Sequence, residues 1–352
     1  MTEIRKAGVV GGGALAAGIS QLCLQAGLEV LLVDDSQEAL DDTEGLILRG
    51  LHRAEQPAAF GLLRKATRLA RLEECDLAIE CACDAPEAKQ DLLCRMDARL
   101  EPGKPLCVQT AALPVGIAAR MVENPDRVAG IHFLVPASVM ELVEVIAGVY
   151  TSVGTLAAVT DFVARLGRTA VRCKDSPGFV VSRLARPFYR ASLRLLEEGS
   201  GTPAGIDAAL RAGGVRAGPF EALDFYGLGE DLAVAELIYE LLERPERLKP
   251  AVLQKEMVAR GATGRREGRG FFIYGEGGDK RENPVLRELL PGMGLRPAEP
   301  GETLRRVVGE MLREAHALVS EGVAEAKDVD AAARLALHWP KGPFEWEGES
   351  KP

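Results

Sequence analysis

The 352-residue chain lacks long apolar runs. No apolar stretch approaches the roughly 18 to 20 residues that a membrane-spanning helix requires. The N-terminal sequence MTEIRKAGVV has no apolar signal core ahead of a cleavage site. These absences predict a cytoplasmic protein with no membrane partner.

Cysteines are few, and all seven precede residue 174. An odd number of cysteines cannot pair completely in disulfides. The cluster CAC at 81–83 is expected at the end of a strand and has no second Cys/His pair to complete a zinc site. We therefore expect reduced thiols and no metal.

Positive charge is also scarce. The chain has 43 Lys and Arg against 52 Asp and Glu, for a net charge of -9. This balance excludes the overall positive field of a typical nucleic-acid-binding protein, and no arginine–aromatic interleaving appears. A hydrophobic content of 47% with 27% charged residues is typical of globular proteins, and the length predicts two or three domains.

The first motif lies in AGVVGGGALAAGISQLCLQAGLEVLLVDD, near the N-terminus. It predicts a short strand (8–10), a glycine turn, an amphipathic helix and a second strand (30–33) that ends on Asp34. In the turn, Gly11 permits a tight bend and Gly13 lets a pyrophosphate approach the backbone. Ala16 stands at the third glycine position and is small enough to let the helix lie close to the sheet. This order of elements is typical of a Rossmann-type dinucleotide-binding domain.

The cofactor is predicted from the same segment. Free amides at the N-terminus of the helix favour a pyrophosphate, and Asp34 can accept hydrogen bonds from the adenosine ribose while repelling a 2′-phosphate. NAD is therefore predicted rather than NADP; the alternative is a doubly wound domain that has lost its ligand. The candidate cofactor-binding residues of this segment are Gly11, Gly12, Gly13, Ala14, Leu15, Ala16 and Asp34.

Further strands are predicted in CDLAIECA (75–82), where the strand ends on Glu80, in PLCVQTAALPV (105–115) and in RVAGIHFLV (127–135), with polar helical segments between them. Such alternation predicts a parallel sheet. His132 then falls near the carboxyl end of a strand, at the edge where open α/β sheets bind ligands. A lone histidine beside a core strand is more often structural, but this position favours a chemical role.

From about residue 174 the alternation stops, and long helical patterns predict a helical C-terminal part. LEEGSGTPAGIDAALRAGGVRAGPFE (196–221) is partly repeated in VSEGVAEAKDVDAAARLALHWPKGPFE (319–345), with Asp207 and Asp330 at equivalent positions. The incomplete copy is expected to cover an apolar face that a partner subunit would otherwise bury, so we expect a monomer with an internal pseudo-dimer, or a homodimer. The predicted domains are a Rossmann-like domain (1–173), a helical domain (174–275) and a partial helical repeat (300–347).

Four motifs together resemble the 3-hydroxyacyl-CoA dehydrogenase family: HFLVPASVMELVEVIAG, KDSPGFVVSRL, GPFEALDFYGLG and GRREGRGFFIYG. They occur in the family's order, and the resemblance covers residues 5–274 almost continuously. It implies NAD-dependent oxidation of the 3-hydroxyl of an acyl-CoA thioester, or the reverse reaction, in fatty-acid metabolism by β-oxidation. The final repeat resembles the second C-terminal domain of longer members.

The resemblance also implies site residues. The family's catalytic histidine falls on His132 and its glutamate partner on Glu144, which suits the chemistry, because a base must take the hydroxyl proton as hydride leaves. The family's acidic residue and lysine near the nicotinamide ribose fall on Asp84 and Lys89. The asparagine after Pro-Gly-Phe falls on Ser182, which joins His132 and Glu144 as a candidate catalytic residue.

The chain departs from the family's pattern at three polar positions. The loop serine that bonds the substrate hydroxyl falls on Ala111, the asparagine after the histidine falls on Val135, and the third position is Ser182. Loss of one transition-state hydrogen bond typically costs roughly 10²- to 10³-fold in rate. Two alternatives therefore stay open: a dehydrogenase of a different 3-hydroxy acid, or a non-catalytic NAD-binding protein with a degraded site.

A basic segment, RKATRLARL (64–72), predicts a helix with a positive face, and one hypothesis is that this face contacts the phosphates of coenzyme A, although the next alternative is favoured. The alternative is a solvated face neutralised by Glu73 and Glu74. The basic residues concerned are Arg64, Lys65, Arg68 and Arg71.

Overall fold

The computed structural model describes residues 3–82 and 85–349. The chain divides into two compact units, residues 1–179 and residues 180–352. The first unit ends within KDSPGF, the segment in which Pro177 and Gly178 interrupt the chain ahead of a long helix.

In the described part of the first unit, eight strands form one sheet in the order β3-β2-β1-β4-β5-β6-β7-β8. Neighbouring strands are parallel except for β6 and β7, which pair antiparallel. The strands are β1 (Lys6–Val10), β2 (Glu29–Val33), β3 (Leu63–Ala66), β4 (Leu77–Glu80), β5 (Leu106–Gln109), β6 (Val128–Phe133), β7 (Leu142–Ala147) and β8 (Thr169–Lys174).

Helices connect most of these strands, as the βα alternation predicts, but within the described residues β6 leads to β7 without a helix. Buried apolar residues of α1, among them Ile19 and Leu22, join Val9 and Leu32 of the sheet in one core. Each fully buried side chain of this kind contributes about 1.5–3 kcal/mol. The helices of this unit are α1 (Gly13–Gln25), α2 (Gln37–Arg53), α3 (Pro86–Asp97), α4 (Val115–Ala118) and α5 (Val153–Arg165).

The predicted α/β Rossmann-type fold is confirmed, with one local correction. Strand β4 ends at Glu80, as predicted, so Cys81 follows its end, and Cys83 lies outside the described residues. The predicted helix over 64–72 is wrong. Residues 63–66 form β3 instead, because they complete the ladder of β2, and a short 3-10 helix follows at Leu69–Glu74.

The second unit is helical, as predicted, with one short antiparallel ribbon that the sequence reading missed. The ribbon pairs β9 (Phe272–Tyr274) with β10 (Lys280–Glu282). The helices are α6 (Val181–Glu197), α7 (Pro203–Ala212), α8 (Pro219–Tyr226), α9 (Leu228–Leu241), α10 (Val252–Ala259), α11 (Val285–Leu289), α12 (Pro300–Ser320), α13 (Ala326–Leu335) and α14 (Pro343–Glu349).

The two Gly-Pro-Phe-Glu motifs have equivalent local structures. The carboxylate of Asp207 accepts hydrogen bonds from the first turn of α8, including one of 3.0 Å from the Phe220 amide. Asp330 accepts a 2.9 Å bond from the amide of Phe344 in α14. A Cβ added to the glycine of either motif would lie 2.2 Å or less from the aspartate side chain. The motif therefore needs glycine because an aspartate docks on its backbone.

Helix α12 packs against α6 and α7 within the second unit. Buried Val307, Met311 and Leu318 line its packed face. The guanidinium of Arg183, fully buried on α6, is held by Glu314 (Nε–Oε1, 2.7 Å) and Glu321 (Nη1–Oε2, 2.5 Å). Both apolar contact and buried ion pairs thus fix the last repeat on α6.

Candidate active site

The glycine turn after β1 has the backbone that the motif predicts. Gly11 has φ 118° and Gly13 has φ 88°, a region that favours glycine. A Cβ on Gly11 would lie 2.6 Å from the Cα of Ala82, so the turn admits no side chain there. Gly12 caps α1, and Ala16 is fully buried against the sheet. The turn and the first amides of the helix therefore leave room for a pyrophosphate beside Ala14 and Leu15.

A cavity of about 710 Å³ opens at the carboxyl ends of β1, β2 and β4. Gly11 and Asp34 lie in its wall, together with Asp35 and Arg68. One oxygen of Asp34 accepts a 2.9 Å bond from the Ser36 amide. A cavity of this size, with a carboxylate beside a glycine turn, suits the adenosine half of a dinucleotide. The residues present therefore fit NAD.

The basic segment 64–72 does not form a single positive face. Arg64 donates to two backbone carbonyls, Lys65 is paired with Asp41 (2.6 Å) and Glu44 (2.5 Å), and Arg71 is paired with Glu74 (2.7 Å). Arg68 is the member of the four that lines the cavity. The segment is therefore mostly neutralised, and the counter-charges come largely from α2 rather than from Glu73.

His132 and Glu144 meet across the antiparallel pair of β6 and β7, where they are directly opposite in register. The Nδ1 of His132 lies 2.5 Å from the Oε2 of Glu144. The histidine is 5% exposed and the glutamate is fully buried. Among the described residues, Nε2 of the imidazole has no hydrogen-bond partner. The carboxylate thus holds one ring nitrogen and leaves the other to meet a ligand.

Strand alternation explains how these polar residues sit in an apolar run. Ile131 and Val143, the neighbours of the pair, belong to the core that packs on α1, α2 and α5. Because successive side chains of a strand point to opposite faces, His132 and Glu144 face the other side of the sheet. The Phe179 ring lies there, 6.4 Å from the imidazole centre.

A buried polar network supports the end of β6. The side-chain amide of Gln109 accepts from the backbone N–H of Phe133 (2.8 Å) and donates to the carbonyl oxygen of the same residue (3.3 Å). Lys89 donates to the carbonyl of Gln109 (2.9 Å) and forms an ion pair with Glu80. Sequence reasoning missed Gln109 and Glu80. The sequence did contain a signal for this network, because each of the two neighbouring strands ends on a polar residue.

Lys89 is therefore placed in this network, 1% exposed on α3. An ammonium so deeply buried needs its carboxylate partner, because an unpaired buried charge is strongly destabilising. The other residue assigned to the nicotinamide ribose, Asp84, lies outside the described residues.

The loop after β5 is clamped at both ends. Thr110 Oγ1 accepts from the Leu113 amide (2.9 Å), and both carboxylate oxygens of Asp175 accept from backbone amides at the start of α4 (2.7 Å each). Burial raises the pKa of Asp175. These hydrogen bonds fix the main chain of the loop. Ala111 lies in this loop, and its methyl side chain offers no hydrogen-bonding group.

The other two departures lie apart in the chain. Val135 follows β6 and is 44% exposed. Ser182 lies in the first turn of α6 in the second unit, 8% exposed, and its carbonyl oxygen accepts from Arg186 (3.1 Å).

Within residues 3–82 and 85–349, no three His, Cys, Asp or Glu side chains group as metal ligands. No helix of that same part of the chain has the length and apolar content of a membrane span.

Comparison with known proteins identifies the family. The N-terminal model of the family, described as "3-hydroxyacyl-CoA dehydrogenase, NAD binding domain", matches residues 6–176. The C-terminal model, "3-hydroxyacyl-CoA dehydrogenase, C-terminal domain", matches residues 178–274 and 303–349. The second model thus covers both the helical part and the segment that carries its partial repeat.

Individual relatives agree with the models. The chain is 28% identical to the 3-hydroxyadipyl-CoA dehydrogenase of Escherichia coli K12, over 98% of this chain and 91% of the relative. It is 34% identical to the 3-hydroxybutyryl-CoA dehydrogenase of Bradyrhizobium diazoefficiens, over 77% of this chain and 96% of the relative.

A solved structure resembles the whole chain. The crystal structure of a 3-hydroxybutyryl-CoA dehydrogenase from Escherichia coli K12 superposes with a TM-score of 0.87 at 26% identity, covering 99% of this chain and 92% of that one. With both family models matched in order over most of its length, and with a turn and cavity that fit NAD, the chain belongs to the 3-hydroxyacyl-CoA dehydrogenase family and is an NAD-dependent oxidoreductase.

Proposed function

We propose that the protein oxidises the 3-hydroxyl of a 3-hydroxyacyl-CoA to the 3-oxoacyl-CoA, or catalyses the reverse reduction. The observation that carries this proposal is the contact between His132 and Glu144, at the same edge of the sheet as the dinucleotide turn. The names of the similar relatives, which act on 3-hydroxyadipyl-CoA and 3-hydroxybutyryl-CoA, support an acyl-CoA thioester as the substrate.

His132 acts as the base in this proposal. NAD held by the glycine turn and Asp34 would supply the acceptor for the hydride from C3 of the substrate. The free Nε2 of His132 takes the hydroxyl proton as the carbonyl forms, and the ring becomes an imidazolium. Glu144 accepts the hydrogen bond from Nδ1 and stabilises that positive charge. In the reverse direction the same nitrogen returns the proton to the carbonyl oxygen.

The remaining residues of the proposed site bind or position. Gly11 to Ala16 hold the pyrophosphate and Asp34 the adenosine ribose, while Asp84 and Lys89 are assigned to the nicotinamide ribose. Lys89 acts there through Gln109, because its ammonium is engaged in the buried network. Ser182 is assigned to the substrate.

A second candidate function rests on the substituted positions. Ala111 and Val135 supply no side-chain hydrogen bond. A pocket without these donors suits a different 3-hydroxy acid, or binds NAD without turnover. Restoring the family residue by Ala111→Ser should raise the rate with acetoacetyl-CoA by about 10- to 100-fold if the thioester is the substrate. A slower Ala111→Ser enzyme would favour the different acid.

The deciding experiment measures NADH oxidation with acetoacetyl-CoA in the spectrophotometer, and NAD binding by thermal shift. Turnover supports the dehydrogenase of acyl-CoA thioesters. NAD binding without turnover favours the second candidate, and absence of both overturns the proposal. The cytoplasmic location and the role in β-oxidation stay predictions.

We also propose that the last repeat makes the chain a monomer with an internal pseudo-dimer. The packing of α12 on α6 supports this, because its apolar residues and the Arg183 ion pairs occupy a face that would otherwise be open. A homodimer is the alternative, and light scattering of the full chain distinguishes the two.

A further inference from the structure

A basic pocket of about 290 Å³ lies on the second unit, between α6 and α12. It is separate from the dinucleotide cavity, whose lining belongs wholly to the first unit. Its floor consists of small residues and its rim is charged. The lining residues are Ala191, Arg194, Arg305, Arg306, Gly309, Glu310 and Arg313.

Arginine is in excess in this pocket. The lining holds four guanidinium groups and one carboxylate, Glu310. Glu310 is shared by Arg194 (3.7 Å) and Arg313, while Arg306 is paired with Glu198 outside the lining (2.8 Å).

Arg305 is exposed, and among the described residues its guanidinium makes no ion pair or hydrogen bond. After Glu310 and Glu198 are counted, the group keeps a surplus of two positive charges. This surplus occurs in a chain whose net charge is -9.

The floor of the pocket has no side chain at Gly309. This glycine lies inside the 21-residue helix α12, where glycine costs about 0.5–1 kcal/mol relative to alanine. A Cβ at this position would meet no atom within 4 Å, so packing does not require glycine. On the facing helix, Ala191 is 6% exposed. The groove between the arginines of the two helices therefore has a floor of small residues, and a long side chain at position 309 would fill it.

We propose that this pocket binds a diphosphate group. Planar guanidinium forks match phosphate oxygens in geometry and charge, and a diphosphate supplies enough acceptors for arginines on both helices. The volume is at the lower limit of roughly 300–1,000 Å³ for sites that enclose a drug-sized ligand. A diphosphate therefore fits inside, and any nucleoside attached to it remains outside the groove.

Three sources present this chemistry: free pyrophosphate, ADP and coenzyme A. The bound diphosphate contacts Arg194 of α6 together with Arg305 and Arg313 of α12. It therefore links the helical domain to its repeat. The assignment depends only on residues of the second unit and does not rest on the proposed dehydrogenase function.

The test compares variants of Gly309 in the full-length protein. Gly309→Glu fills the groove and adds a negative charge, whereas Gly309→Ala keeps most of the space and serves as the matched control. Titration calorimetry with pyrophosphate, ADP and coenzyme A, beside sulfate at equal ionic strength, measures the affinities. We expect Gly309→Glu to weaken pyrophosphate binding at least tenfold and Gly309→Ala to change it less than threefold.

A second pair of variants tests the arginines. The double variant Arg305→Ala/Arg313→Ala should weaken pyrophosphate binding tenfold or more. The control is Arg266→Ala, which removes an exposed arginine elsewhere in the same unit and should leave pyrophosphate binding unchanged. If coenzyme A binds more tightly than pyrophosphate and Gly309→Glu abolishes this difference, coenzyme A is the source of the diphosphate. Equal affinities indicate that the pocket recognises the diphosphate group alone.

Undetectable pyrophosphate binding, equal affinity for sulfate, or full affinity in Gly309→Glu would overturn the proposal. The part of NADH binding that Asp34→Ala weakens belongs to the dinucleotide cavity, and it should be unchanged in every variant when it is followed by NADH fluorescence. Loss of pyrophosphate binding is thereby distinguished from a failure of the dehydrogenase assignment.

Discussion

Replacement of Glu144 by glutamine tests whether the negative charge of this buried carboxylate assists His132 in the proposed reaction. The glutamine amide has nearly the same shape, and its oxygen still accepts a hydrogen bond from Nδ1. The variant therefore keeps a hydrogen bond to Nδ1, which in the native pair spans 2.5 Å, but removes the negative charge. Glu141→Gln is the matched control, because Glu141 lies three residues earlier and is exposed.

The size of the effect follows from the burial of the pair. Glu144 is fully buried and His132 is 5% exposed, so water screens the interaction little. A hydrogen bond to a charged group contributes about 1.5–3 kcal/mol and a neutral one about 0.5–1.5 kcal/mol. The difference, about 1–2 kcal/mol in favour of the imidazolium, corresponds to roughly a 5- to 30-fold fall in kcat.

His132→Gln should be more severe, since loss of a general base typically costs about 10²- to 10⁴-fold. The assay is steady-state reduction of acetoacetyl-CoA by NADH, with NADH affinity measured separately by fluorescence. We expect both variants to bind NADH as the wild type does. A Glu144→Gln enzyme as fast as Glu141→Gln would show that the charge has no part in the reaction. An active His132→Gln enzyme would place the base elsewhere.

Four further changes give separate tests. Asp34→Ala should weaken NAD binding and reduce the preference over NADP, because the carboxylate both accepts from the ribose and repels a 2′-phosphate; an unchanged ratio of the two affinities would exclude Asp34 from the ribose site. Gln109→Leu should lower the free energy of unfolding by about 1–3 kcal/mol, since it leaves the buried amide of Phe133 unpaired, and should reduce kcat more than it raises KM; urea titration and kinetics of the same preparation measure both. Burial raises the pKa of Asp207 to about 7 from 3.8, so the folded chain holds a proton that the unfolded chain releases, and this group's contribution to stability grows as pH falls from 8 to 5; the difference in unfolding free energy between wild type and Asp207→Asn should change with pH in that window, and a constant difference would contradict the shift. Deletion from about residue 295 should expose the face of α6 and cause dimerisation or aggregation, whereas light scattering that finds both proteins equally monomeric would argue against the pseudo-dimer.

The sequence predicted the dinucleotide half well because its signals are local. Gly11, Gly13 and Asp34 occupy fixed positions in one strand–turn–helix–strand unit, and the backbone angles at both glycines confirm why that residue type is required. His132 was also placed correctly near the carboxyl end of a strand, because the chain direction alone defines that end.

The features that could not be predicted from the sequence depend on contacts between distant segments of the chain. The spacing of basic residues over 64–72 imitates a helix, yet pairing with β2 makes the first part a strand. Strand β7 was not predicted, since the run from 131 to 145 is apolar almost throughout and has no clear break. The burial of Lys89 was equally invisible, because its partners Glu80 and Gln109 end two other strands.

The antiparallel pairing of β6 with β7 has a consequence for how the proposed site assembles. In a parallel pair, facing residues are separated by a whole crossover connection, but here the acid follows the histidine by only 12 residues. Closing so short a loop costs little chain entropy, and local contacts of this kind form readily during folding. The proposed base and its carboxylate partner are therefore contained in a single hairpin, 128–147, whose register alone brings His132 and Glu144 together. A one-residue slip in that register would turn one partner to the opposite face of the sheet. The contact between His132 and Glu144 therefore depends on the hydrogen-bonded register of the two strands.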